Sequence, residues 1–206
     1  MKTTNIYAVG RNYASHAQEM GNPVLEEPIF FQKSSACLSD NTVITLPRGR
    51  EIHHELEIVV SIGNGGSNIK DEDAWSHVDG LCLGLDLTDR LLQHKFKEER
   101  LPWFLAKSFP GSAVITQFES PELNVWSRDF WLTINDMEVQ RGNMDQMVFD
   151  IPALIAYLSA RLPLTADDLI YTGTPSGVGA LESGDELILG LGEEIKGKFE
   201  VESALR

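Results

Sequence analysis

Cysteine, positive charge and long apolar runs are all scarce in this chain of 206 residues. Cys37 and Cys82 are the only cysteines and have no CxxC spacing, so at most one disulfide exists and no secreted disulfide framework does. Cys82 lies in the apolar stretch Gly80–Leu85, where a buried, inert thiol is expected. Only 17 Lys and Arg stand against 31 Asp and Glu, a formal net charge of −14. That sign is wrong for non-specific nucleic-acid binding and offers nothing to an anionic membrane. An acidic protein that handles an anion must concentrate its few cations, or a metal, at the site. No apolar run is long enough to span a bilayer, and Met1–Tyr7 shows neither an apolar signal core nor an Arg-rich presequence, so a cytoplasmic location is expected. The glycine-rich Thr172–Gly179 lacks the lysine of a Walker loop and the spacing of a dinucleotide fingerprint, which excludes nucleotide binding there. Strands do not alternate regularly with helices, so a doubly wound sheet is excluded too.

What is present is a series of short strands. Asn5–Val9, Ile29–Phe31, Glu57–Val60, Gly80–Leu87, Leu169–Thr172, Glu186–Leu189 and Lys198–Val201 are apolar or β-branched. Trp131–Ile134 and Met137–Gln140 alternate about Asn135-Asp136, which predicts a hairpin. Helices are expected over Arg11–Gly21, Asp71–Val78 and Asp150–Leu158, the last with an Asp cap and an early proline. Thr88–Arg100 stands out only as polar. The fold class is α+β and β-rich, in a single catalytic domain over residues 1–206.

The chemistry centres on His53-His54-Glu55-Leu56-Glu57. Residues i and i+2 of a strand share a face, which sets the Glu55 and Glu57 carboxylates side by side, with His53 on the same face. Two such carboxylates repel unless a proton or cation lies between them, and oxygen ligands suit a hard cation such as Mg²⁺ or Mn²⁺. An edge strand with two solvated glutamates is the competing account. Asp86 follows an apolar run where a strand leaves the core, so it either caps the next turn or faces a cation. His16 and Glu19 are i,i+3 neighbours if helical, either a solvated surface pair or an imidazole oriented by a carboxylate to act as a base. Lys107, among aromatic and aliphatic residues, either snorkels to water or faces an internal anion.

Together the segments Gly10–His16, Pro28–Phe31, His54–Glu57, Leu85–Thr88, Leu105–Phe109 and Thr172–Gly179 resemble, in order and spacing, the fumarylacetoacetate hydrolase family. The resemblance is to its short, acylpyruvase-like branch and runs from about Tyr7 to the C-terminus. It implies a mixed β-sandwich roll, a homodimer, and one Mg²⁺ or Mn²⁺ per subunit. It places the metal on Glu55, Glu57 and Asp86. It makes His16 and Glu19 a water-activating dyad on a lid over residues 12–26, expected to order over the site with ligand. Lys107 becomes a catalytic cation, and Arg90, Gln93 and Thr174 bind substrate. Lys33 is left out of the site because Lys33-Ser34 stands where many relatives have Lys-Pro, and His53 is left as a packing residue. The function expected is hydrolysis of a carbon–carbon bond in a small 2,4-dioxo acid, giving pyruvate and a carboxylate. The alternative on the same site is oxaloacetate decarboxylation or keto–enol tautomerisation. A non-catalytic, metal-stabilised binding domain is a third.

Overall fold

The computed structural model describes residues 3–14 and 25–204. The first strands are β1 (Ile6–Gly10), β2 (Ile29–Lys33), β3 (Leu38–Ser39), β4 (Val43–Leu46) and β5 (Ile52–His54). They are followed by β6 (Leu56–Ile62), β7 (Val78–Asp86), β8 (Thr88–Asp89), β9 (Ala113–Ile115) and the hairpin β10 (Phe130–Ile134) and β11 (Met137–Gly142). The last are β12 (Leu169–Tyr171), β13 (Gly179–Ala180), β14 (Glu186–Leu191) and β15 (Glu194–Ser203). Helices α1 (Arg90–Glu98), α2 (Phe104–Lys107), α3 (Leu123–Trp126) and α4 (Ile151–Ser159) lie between them.

The principal sheet runs β2-β1-β12-β6-β7-β9-β3. Its two edge strands, β2 and β3, are joined by nothing longer than the 3₁₀ turn Ser35–Cys37, so the sheet has to curl until its edges nearly meet. Both faces are therefore buried. Leu56, Ile58, Val60 and Ile62 of β6 and Leu81, Leu83 and Leu85 of β7 point outward into the main core. There they meet Phe130, Leu132, Leu187 and Leu189 of the five-stranded sheet β11-β10-β14-β15-β4, and Leu154 and Ile155 of α4. The alternate residues Ile6, Ala8, Val59, Cys82, Ala113, Leu169 and Tyr171 fill the inside of the roll. Each fully buried Leu or Ile contributes about 1.5–3 kcal/mol, so both faces of β6 and β7 hold the fold. This is the α+β, β-rich roll expected, and the described residues contain no helix long and apolar enough to cross a membrane.

A third sheet, β13-β5-β8, has only three short strands, yet it positions the site. It pairs His54 with Gly179 and Ile52 with Asp89, which brings the ends of three distant motifs together. Asn135 and Asp136 take φ of 50° and 65°, as the expected two-residue hairpin requires.

Two expectations change. The helix foreseen from Arg11 does not begin there: Arg11 has φ 61° and Tyr13 forms a β-bridge with Met147, while 15–24 lie outside the described residues. Conversely, the polar segment after β8 forms α1, capped by Asp89 through a 3.0 Å bond from Leu92 N–H.

Gly84 faces the inside of the roll, where an added Cβ would lie 2.6 Å from the Val114 carbonyl oxygen and 2.7 Å from Val59 Cγ2. Neither neighbour has room to retreat. Gly84→Ala is expected to cost about 1–3 kcal/mol, and thermal melts should show a loss of roughly 2–4 °C per kcal/mol. An unchanged Tm would mean that the interior of the roll is looser than its contacts imply.

Candidate metal centre

Glu55 sits at the junction of β5 and β6, Glu57 two residues on, and Asp86 at the end of β7. Strands β6 and β7 pair with Leu56 opposite Leu85 and Glu57 opposite Gly84, and Asp86 N–H donates to the Glu55 carbonyl at 2.9 Å. One ligand oxygen from each of the three carboxylates lies within 4.8 Å of the others, and all three side chains are buried. His53 does not join them. The chain leaves β5 before Glu55, so the period-two pattern is broken, and His53 Nε2 lies 2.9 Å from Glu51 instead.

Three cations enter this buried cluster. Lys107 Nζ donates to Glu55 Oε2 at 2.7 Å and to Asp86 Oδ2 at 2.6 Å, and sits 4.8 Å from the centroid of the Phe31 ring. Arg90 donates to Glu55 Oε1 at 2.6 Å and to Gln93 Oε1 at 2.7 Å. Lys33 donates to Asp86 Oδ1 at 2.5 Å and to the Leu87 carbonyl at 3.1 Å. The departure at Ser34 therefore does not remove Lys33 from the site. Its signal was legible: a lysine ending the aromatic strand Ile29–Lys33 is the same pattern that singled out Lys107. Ser34 supplies a different local stop, its hydroxyl accepting from Ala36 N–H.

The charges are unevenly shared. Burial would raise the Glu55 carboxyl, but the Lys107 ammonium and the Arg90 guanidinium outweigh it and hold the pKa well below the ordinary range. Burial likewise works against the charge on Lys107, yet Asp86 and Glu55 leave its pKa raised. Glu57 is the exception. Burial, and then the charges of Asp86 and Glu55, push its carboxyl well above the ordinary range. It accepts from the Gly173 N–H at 2.7 Å, and among the described residues no ammonium or guanidinium is paired with it. A buried carboxylate with two carboxylate neighbours and no cation of its own is what a hard divalent ion would satisfy. The donor set fits Mg²⁺ or Mn²⁺.

Two further buried side chains hold the frame. Gln140, reaching in from β11, accepts from Leu56 N–H at 3.0 Å and lies 2.9 Å from His54 Nδ1. Its amide nitrogen donates to Thr174 Oγ1 at 2.8 Å and to the Pro175 carbonyl at 3.0 Å. Thr174 in turn donates to the Leu56 carbonyl at 2.8 Å, so its hydroxyl hydrogen is already engaged and the group has only acceptor capacity left. Asn12 donates to the Phe149 and Thr172 carbonyls at 2.9 and 2.8 Å, docking the Arg11–Tyr13 segment on the glycine-rich turn. His16 and Glu19 lie outside the described residues. Sequence reasoning missed Gln140, whose place in a hairpin strand carries no local sign of what it reaches.

The chain as a whole matches a known family. The family model for the fumarylacetoacetate hydrolase C-terminal domain matches residues 5–201. The chain belongs to the fumarylacetoacetate hydrolase family. It is 39% identical over 202 residues to the mitochondrial oxaloacetate tautomerase FAHD1 of Rattus norvegicus, covering 96% of this chain and 91% of that one. It is 40% identical over 193 residues to the mitochondrial oxaloacetate decarboxylase of Dictyostelium discoideum, covering 90% and 88%. The crystal structure of fumarylpyruvate hydrolase from Pseudomonas aeruginosa with Mn²⁺ and pyruvate superposes with a TM-score of 0.88 at 34% identity, covering 99% and 91%. These relatives overturn the expectation of an acylpyruvate hydrolase. The relatives at 39% and 40% identity are named for oxaloacetate, whereas the hydrolase is more distant at 34%. The chain is an enzyme of this family.

Cation uptake should expel a proton. In the folded, cation-free protein Glu57 keeps its proton up to its raised pKa, whereas in the unfolded chain it loses it near ~4.3. Between those values stability without the cation should fall as pH rises, and saturating Mn²⁺ should abolish that slope. Calorimetry in buffers of different ionisation enthalpy should show release of about one proton per ion below the raised pKa. Binding without proton release would remove Glu57 from the ligand set.

Gln140→Ala leaves the Leu56 N–H and Thr174 Oγ1 each one partner short. It should weaken Mn²⁺ binding about 10–100-fold, as loss of an outer-shell partner does. Affinity equal to that of the unmodified protein in a titration would show that the frame does not depend on it.

Proposed function

We propose that this chain is an oxaloacetate tautomerase, interconverting the keto and enol forms of the diacid with Mg²⁺ or Mn²⁺ bound at Glu55, Glu57 and Asp86. The observation that carries the reading is charge. Three buried carboxylates face three buried cations, Lys33, Arg90 and Lys107, so a divalent ion leaves two positive charges uncompensated. A C4 diacid dianion matches that surplus. The relatives named for oxaloacetate, at 39% and 40% identity over nearly the whole chain, support the same substrate.

Tautomerisation breaks a C3–H bond and forms an O–H bond at C2, with no net change in composition. A bound divalent ion supplies a Lewis acid that draws electron density toward the C2 oxygen. Lys107, its pKa raised, stays an ammonium and adds positive charge where the oxygen becomes negative, so it is no base. Arg90, anchored on Glu55, orients Gln93 through that side chain's carbonyl and leaves the Gln93 amide N–H groups as donors. Thr174 has acceptor capacity only, so it holds a protonated oxygen or a water rather than a carboxylate. The proton at C3 is assigned to His16, oriented by Glu19.

Decarboxylation is the second reading, favoured by the Dictyostelium relative. There the C3–C4 bond breaks in place of C3–H, and the electron pair flows to the same oxygen. The protein is assigned one catalytic domain and a homodimeric state, the latter supported by exposed Leu91, Phe104 and Leu105 on the neighbouring helices α1 and α2.

The test follows the decay of enol-oxaloacetate absorbance and, in parallel, pyruvate formation, against a Mn²⁺ control without protein. Acceleration of enol decay is expected. Asp86→Asn should abolish it, and His16→Ala should slow it by roughly 10²–10⁴-fold. Pyruvate formation should suffer less in His16→Ala, because carbon dioxide departure needs no base at C3. A protein that leaves enol decay at the control rate sinks the tautomerase reading. If that protein still forms pyruvate, decarboxylation takes its place.

A further inference from the structure

Helix α1 carries a polar stripe that the catalytic account uses only in part. Arg90 and Gln93 are buried at the site, and Lys97 stands four residues beyond Gln93. At 3.6 residues per turn, positions i, i+3 and i+7 share one face, and helical side chains lean toward the N-terminus. Lys97 therefore leans back along the stripe toward Gln93. Its ammonium lies 5.3 Å from the centroid of the Trp103 ring. Trp103 packs edge-on against Phe31, with centroids 6.0 Å apart and planes at 62°, and Phe31 in turn carries the Lys107 ammonium. One aromatic wall thus runs from the carboxylate cluster, at Lys107, out to Lys97.

We propose that Lys97 binds the distal carboxylate of a C4 2-oxo diacid and so sets the enzyme's preference for dicarboxylates over 2-oxo monoacids. The assignment rests on the oxaloacetate reading above. Three observations support it. Lys97 is half-buried, and among the described residues no carboxylate is paired with it, although the chain carries 31 acidic residues. Burial, then the Arg90 and Arg11 guanidiniums, lower its pKa against the opposing charge of Glu55, so positive charge outweighs negative around it. The wall leading to it is apolar and aromatic, so an anion there is partly desolvated, and a charge-assisted bond is worth more than on an open surface. Lys97 touches a part of the substrate where no bond changes. Its contribution belongs to binding and discrimination, not to the chemical step.

The experiment compares unmodified enzyme, Lys97→Met and Lys97→Arg, each saturated with Mn²⁺. Methionine keeps the unbranched stem against Trp103 and removes only the charge. Two substrates are used: enol-oxaloacetate, and phenylpyruvate as a 2-oxo acid without a distal carboxylate. Oxalate inhibition serves as a probe of the ion site alone. Lys97→Met should raise KM for oxaloacetate about 10–100-fold, the span of one charged hydrogen bond, with kcat little changed. Phenylpyruvate turnover and oxalate inhibition should stay as they are, and Lys97→Arg should restore most of the oxaloacetate affinity. An unchanged oxaloacetate KM in Lys97→Met overturns the proposal, and so does an equal loss on both substrates and on oxalate. Failure of the unmodified enzyme on oxaloacetate counts against the tautomerase reading instead, and is seen before any variant is made.

Discussion

Three carboxylates share one buried corner, and the rest of the site is arranged around their repulsion. At the effective dielectric of a protein site, two unit charges 4.8 Å apart repel by about 3 kcal/mol, and burial adds a desolvation cost for each. Lys107, Arg90 and Lys33 relieve Glu55 and Asp86. They do not relieve Glu57, whose upward pKa shift records the remaining imbalance. One member of the trio is thus left to a proton or a divalent ion. A divalent ion held here would displace that proton.

The same ion pairs serve the fold. Lys33 ends β2, an edge strand, while Asp86 ends β7, which lies two strands from the other edge. Their bond crosses the inside of the rolled sheet. The roll is closed on its apolar side by Ile6, Val59, Cys82 and Tyr171, and at the polar end by this pair. A buried ion pair is a poor source of net stability, because desolvation offsets most of its Coulomb gain. What it gives here is placement, since Asp86 Oδ1 is committed to Lys33 and Oδ2 to Lys107. An interior glycine does related work: Gly84, opposite Glu57, lets the Val114 carbonyl, Val59 and Tyr171 close on β7 where any side chain would clash.

Much of this was legible in the residues. The strands were visible because both faces of the roll are buried, so β6 and β7 read as unbroken apolar runs. Glu55, Glu57 and Asp86 were visible because each stands at an end of such a run, and the solvated-glutamate and turn-cap accounts gave way only when the other motifs were read with them. Arg90 and Gln93 were harder. Their meaning depends on α1, a helix with only Leu91, Leu92 and Phe96 apolar, and whose start is fixed by the pairing of β8 with β5. Gln140 was not legible, since it acts 84 residues from the strand it holds. Alternation misled at His53, because the chain changes sheets between His54 and Leu56 and the period does not survive the turn.

The activity was mistaken for a related physical reason. Carboxylates that hold a hard cation, beside lysines that stabilise negative oxygen, specify that a 2-oxo acid will be driven toward its enolate. They do not specify which bond at C3 supplies the electrons. A C–H bond gives tautomerisation, a bond to carboxylate gives decarboxylation, and a bond to an acyl carbon gives hydrolysis once water has attacked. All three reactions impose the same demand on the cluster, which fits a family whose members are named for different chemistry. The choice among them has to be made farther out, by the groups that meet the rest of the substrate. There α1 presents Arg90 and Lys97 on one face, with Arg11 acting on the same ammonium. In a protein with an excess of acid, that local concentration of cations is the feature on which the proposed preference for a second carboxylate rests.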